Sequence, residues 1–187
     1  TFDSTGFTFN GSSGYINVPY SANFDRNDFT VVGFYRTSTN DNSHDTIISR
    51  NSDVYVASAG WNISRIRNGL SPANGFRVMV SDGTTIADFA GPSVSNDTWT
   101  HFAVVVDKSV SSKAYMYING SLYTTNSSLP SGNFYPTSGN PPIYIGCNKS
   151  VADFWTGQIS QIAYYSRALS ADEILRNFNA QRKTYGI

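Results

Sequence analysis

A chain of 187 residues with 13 Lys and Arg against 13 Asp and Glu carries no formal net charge. That balance excludes the basic excess that a nucleic-acid partner or an anionic membrane surface demands, and no run approaches the ~18 apolar residues of a membrane-spanning helix. Aromatics make up 14% and charged residues another 14%, with Ser, Thr, Asn and Asp supplying the polar surface. Such a mixture favours strands and turns over helix interiors, so the expected class is all-β, in one domain large enough to bury a core.

Residues 7–18, FTFNGSSGYINV, read as a hairpin, two alternating segments about a turn at 10–14. After a connecting loop, residues 29–35, FTVVGFY, form a strand apolar on both faces. A polar loop over 37–45 leads to a short strand at 46–50 and then an irregular region to residue 71. Within it, 61–67 alternates, with Trp61 and Ile63 on one side and a polar set on the other. Residues 75–80 and 84–89 bracket Ser81-Asp82-Gly83, a hairpin turn of the Asp-Gly type.

The stretch 97–120 organises the rest. Phe102, Val104 and Val106 face one way, and His101, Ala103 and Val105 the other. Both faces are predominantly apolar, the pattern of a central strand covered on both sides. A polar turn, a second strand at 114–118 and the dipeptide Asn119-Gly120, tolerant of positive φ, follow. Residues 123–142 are too polar for a core, and a loop of that length is often functional. Residues 142–147 form a strand, as do 157–165, where Ile159 and Ile162 require either a bulge or a strand buried on two sides. The one helix comes last. Ser170 and Glu173 make a capping box, Ile174, Leu175 and Phe178 line one face, and a basic-then-apolar tail runs over 181–187. Cys147 is the single cysteine and reads as a small apolar residue. The chain begins at Thr1 without a signal peptide, as a processed or excised piece of a longer protein would.

Four segments, in this order, resemble the laminin-G-like, concanavalin A-like jelly-roll family. They are FTFNGSSGYINVP with FTVVGFYRTS (7–19 and 29–38), DTWTHFAVVVD with YMYING (97–107 and 115–120), PPIYIG (141–146), and FWTGQISQIAYYSRALSADEI (154–174). The resemblance implies a two-sheet antiparallel jelly-roll sandwich with one short C-terminal helix, as a single domain over 1–187. It constrains function less, because lectins, adhesion modules, hydrolases and lyases share the fold. The tail LRNFNAQRKTYGI resembles the ends of similar domains in large structural proteins of tailed phages. That would make the chain the C-terminal module of a longer virion protein. In many relatives the closing strand reads Gly-x-Ile-Asp and the Asp helps hold Ca²⁺; here Gly157-Gln158-Ile159 is followed by Ser160, a poor ligand. Calcium is thus the one cofactor the resemblance offers, and no metal site is assigned. Asp41 and Asp45 are weak candidates, and a solvated polar loop suits their spacing better.

Hydrolases of this fold need paired carboxylates a few ångströms apart on one strand. Glu173 is the sole glutamate, it belongs to a helix cap, and no Asp-x-Asp occurs, so no enzyme is expected. His44 in a polar loop and His101 in a buried strand lack the partners of a triad, and no Gly-x-Ser-x-Gly elbow is present. What remains is a binding surface. Sugars are held by aromatic faces flanked by Asn, Asp and Arg. Trp61 with Asn62, Arg65 and Arg67 is one such cluster, and Tyr135 with Asp153 and Trp155 is a second, each weighed against tryptophan's tendency to enter the core. The leading expectation is a non-catalytic carbohydrate-binding or adhesion module on a virion or other extracellular surface, with a glycan or host-surface polysaccharide as partner and no membrane insertion. The alternative is a structural decoration or assembly domain of a phage particle, contacting other virion proteins without binding sugar.

Overall fold

The computed structural model describes residues 2–3, 5–38, 44–52, 58–66, 75–93 and 95–187. In chain order the strands are β1 (Phe2–Asp3), β2 (Gly6–Asn10), β3 (Ile16–Val18), β4 (Phe29–Thr37), β5 (Asp45–Arg50), β6 (Gly60–Arg65) and β7 (Gly75–Ser81). They continue as β8 (Ile86–Ser93), β9 (Thr100–Asp107), β10 (Lys113–Ile118), β11 (Ser121–Asn126), β12 (Ile143–Ile145) and β13 (Thr156–Tyr165), followed by helix α1 (Ala171–Gln181). Among the described residues these make two antiparallel sheets. One has seven strands in the order β1-β2-β13-β4-β9-β10-β11, and the other has six in the order β3-β12-β5-β6-β7-β8.

The doubly apolar strands behave as their sequences require. Phe102, Val104 and Val106 of β9, with Phe29, Val31 and Tyr35 of β4, pack between the sheets against Ile48, Trp61, Ile63, Phe76 and Val78. The opposite side of the same strands, Val32, Ala103 and Val105, packs outward against Leu169 and Ile174. The helix therefore adds a third layer over the seven-stranded sheet. The chain's end extends that cover: Tyr185 stacks on Phe34 at 4.1 Å and meets Trp99 at 4.8 Å. The capping box is formed as the sequence predicts, with Ser170 Oγ accepting from the Glu173 N–H at 3.3 Å and Glu173 Oε2 accepting from the Ser170 N–H at 2.9 Å. Hydrogen bonds from Arg167 first, and from the Ser170 N–H, hold the Glu173 carboxyl down to about 2. The predicted irregularity in β13 is a bulge between Ser160 and Ala163, with Gln161 at φ 53°.

Three expectations need correction. Residues 7–18 are not a hairpin: β2 pairs with β13 in one sheet and β3 with β12 in the other. Asn10 Oδ1 accepts from the N–H groups of Ser12, Ser13 and Gly14, and this turn carries the chain across the sandwich. Residues 121–126 are a strand rather than the start of a loop; β11 is an exposed edge whose polar side chains need no burial. The long loop after it is also anchored. Phe134 is fully buried, Lys108 Nζ lies 4.4 Å from its ring centre, and Asp82 Oδ2 accepts from the Gly132 N–H.

Candidate functional site

Because directly paired residues of neighbouring strands share a face, the registers fix what the six-stranded sheet shows to the outside. Trp61 and Ile63 point into the sandwich, so Asn62 and Ser64 point out. One outward row runs Asn17, Tyr144, Ser49, Asn62, Met79, Asp88 across all six strands. A second runs Thr46, Ser64, Arg77, Ala90.

This geometry divides the residues singled out from sequence. Trp61 is 1% exposed and lies among Phe29 and Tyr164, at 5.5 and 6.2 Å between ring centres. Arg65 shares its inward side, is fully buried and pairs with Asp45. Neither can meet a ligand from outside, and the Arg65 guanidinium neutralises Asp45, one of the two weak candidates for calcium. Arg67 and Asp41 lie outside the described residues. Trp155 is also fully buried, edge-on to Tyr35 at 5.7 Å. Tyr135 and Asp153 do not form one rim. Phe134, beside Tyr135, bonds to Asn27 near the start of β4, whereas the Asp153 carbonyl accepts from Thr46 at the far end of the sandwich. Ser160, where relatives carry an aspartate, shares a 2.8 Å hydrogen bond with the Tyr185 hydroxyl. Among the described residues no three His, Cys, Asp or Glu side chains gather as a metal would require. Cys147 is buried, and burial pushes its thiol up to about 11, as suits an inert packing residue.

Among the described residues of the first cluster only Asn62 faces outward, and a different aromatic group stands beside its row. Tyr15 meets Tyr144 edge-on at 5.9 Å and Phe154 at 6.4 Å. Tyr15 is 43% exposed and the other two are half-buried, so the trio forms an aromatic rim at the β3–β12 end of the outer face. The signal was present: Tyr144 lies between two inward isoleucines, and Phe154 precedes the inward Trp155.

The floor beyond the rim is polar and uncharged. Thr46, Ser49, Asn62 and Ser64 are all fully buried. Ser49 Oγ donates to the Cys147 carbonyl at 3.1 Å, and Asn62 Nδ2 donates to Thr46 Oγ1 at 3.3 Å. Asn62 Oδ1 and Ser64 Oγ have no partner. Buried polar atoms are normally paired, so two neighbours lacking partners mark a place where an enclosed water would complete the bonding. The loop after β12 closes one side. Gly146 turns it at φ 88°, and a Cβ there would sit 2.4 Å from the Phe9 ring. Asn148 Oδ1 then accepts from the N–H groups of Ser150 and Ala152, and Lys149 Nζ donates to Ser58 Oγ. On the far side Arg77 and Asp88 form a bidentate pair, with Nε to Oδ1 at 2.9 Å and Nη2 to Oδ2 at 2.5 Å.

The family model described as the concanavalin A-like lectin/glucanases superfamily matches residues 10–175. The chain belongs to that family. Among solved structures it is similar to the Ruminococcus gnavus IT-sialidase CBM40 domain at 17% identity and TM-score 0.69, covering 94% of this chain and 97% of that one. The same domain bound to α2,3-sialyllactose matches at 16% identity and TM-score 0.67, covering 92% and 94%. A heptameric SAP-like pentraxin from Limulus polyphemus matches at 13% identity and TM-score 0.63, covering 90% and 78%. At these identities the likeness is one of fold. No curated protein sequence matches the chain.

Proposed function

We propose that the chain is a non-catalytic carbohydrate-binding module, exposed on a virion or other extracellular surface, whose sugar lies on the outer face of the six-stranded sheet. One observation carries this reading. An accessible aromatic trio, Tyr15, Tyr144 and Phe154, stands at the edge of an outer face built on a buried layer of uncharged hydroxyls and amides. Aromatic faces take the C–H side of a pyranose, and amides and hydroxyls take its hydroxyl groups. The relatives described as carbohydrate-binding modules support the reading, and the resemblance of the 175–187 tail to phage proteins supports the virion. Glutamate chemistry has no place in it, since Glu173 is engaged by Arg167 and Ser170 in the helix cap. The test is retention on a glycan array, repeated with Tyr15→Ala/Tyr144→Ala. Signal from the parent and loss from the double variant is expected; a double variant that binds equally well would remove the site.

A second reading, an assembly domain, draws on β11. This edge strand leaves its backbone open, and Leu122 and Tyr123 are 54% and 52% exposed. Open edges accept strands from other chains. Self-association in sedimentation that Leu122→Asp abolishes, together with no glycan retained, would favour it.

A further inference from the structure

We infer that the glycan taken by this face is neutral, not acidic; the inference rests on the carbohydrate-binding reading of the outer face. A sugar carboxylate entering a partly desolvated site needs an available cation, and arginine's fork is the usual one. Among the described residues of this face Arg77 is the only cation, and both Asp88 oxygens already hold it through Nε and Nη2. Arg77 lies largely inside, with its side chain 16% exposed, while the Asp88 carboxylate is 43% exposed. An approaching anion would therefore meet the carboxylate before the guanidinium. In the loop beside the aromatic rim, Lys149 is held by Ser58, and the same loop carries one opposite charge, Asp153, whose carboxylate accepts from Asn148 Nδ2 at 2.9 Å. Among the described residues, the charges on and beside the face sum to zero.

The R. gnavus relative was solved with a sialylated, hence anionic, sugar. The same scaffold here presents a different charge class: an uncharged oligosaccharide with one apolar C–H face against Tyr15, Tyr144 and Phe154.

The experiment is a quantitative array of neutral oligosaccharides beside sialylated, uronic and sulfated ones, read at low and high salt. Retention of neutral glycans at least about tenfold above acidic ones is expected, with little change as salt rises, because no ion pair is screened. Asp88→Asn, which frees the Arg77 guanidinium, should shift the neutral-to-acidic ratio about tenfold toward acidic ligands. A parent protein that prefers acidic glycans, with affinity falling as salt rises, overturns the charge assignment and leaves the sugar-binding reading standing. An unchanged ratio in Asp88→Asn overturns the part given to the Arg77–Asp88 pair. No retention on any glycan ends the sugar-binding reading itself.

Discussion

The two outer faces of this sandwich have met opposite fates. The seven-stranded sheet shows Val32, Ala103 and Val105 outward, and the chain's own helix covers them with Leu169 and Ile174. The six-stranded sheet shows Thr46, Ser49, Asn62 and Ser64, and among the described residues no helix packs on them. Apolar surface gains by closing on itself, roughly 25 cal/mol for each square ångström removed from water, whereas buried hydroxyls and amides gain only when partners are supplied. Under the proposed function, the face covered by the chain's own apolar segments serves stability and the other serves recognition.

The comparison can be broken or sharpened in four ways. The largest effect should come from the covered face. Ile174 is fully buried on the inner side of α1, so Ile174→Ala should cost about 3 kcal/mol in denaturant unfolding, without altering glycan specificity. Next is pH. His101 lies on the same face between Phe34 and Phe178, its Nδ1 unpaired, and burial pushes the imidazole from 6.5 down to about 4. Around it, Asn177 and Gln181 of α1 and Gln161 and Tyr165 of β13 line the same cavity, and none of these is a carboxylate that would favour the imidazolium. The unfolded chain therefore binds the proton more readily. Stability is full above about pH 6.5 and falls as pH drops toward 4, by up to about 3 kcal/mol, and His101→Gln should remove that slope from pH-dependent unfolding curves. On the open face, Tyr144→Ala should weaken glycan binding about tenfold while moving the melting temperature little, measured by calorimetry on one preparation. The smallest effect belongs to the helix cap: Ser170→Ala should cost about 1 kcal/mol. If Ile174→Ala and Tyr144→Ala each changed both binding and stability alike, the division between the faces would not hold.

Much of this was legible in sequence, because alternation is a local property. The two-sided burial of β4 and β9, the bulge in β13 and the Ser170–Glu173 cap all follow from patterns a few residues long. What alternation leaves open is which side faces in. Trp61 and Trp155 carry the largest rings in their segments, and ring size alone suits both a sugar platform and a core plug. The inward isoleucine neighbours of Tyr144 were the better guide, since they fix its ring outward. Nor does a turn reveal whether its two strands pair. The Asn10 turn would serve a hairpin equally well, and only the later strands β12 and β13, by taking up β3 and β2, decide that it is a corner. β11 escaped notice because an edge strand with open sides needs no apolar pattern.

The position of those last two strands also governs how the molecule can be made. β13 lies between β2 and β4, and β12 lies between β3 and β5, so early strands become neighbours only through late ones. On a ribosome, the six-stranded sheet cannot be completed until residue 145 has emerged, nor the seven-stranded sheet until residue 165. Until then β2 and β3 have no partner in the body of either sheet and the two layers are incomplete, which predicts slow folding in vitro and dependence on chaperones during synthesis.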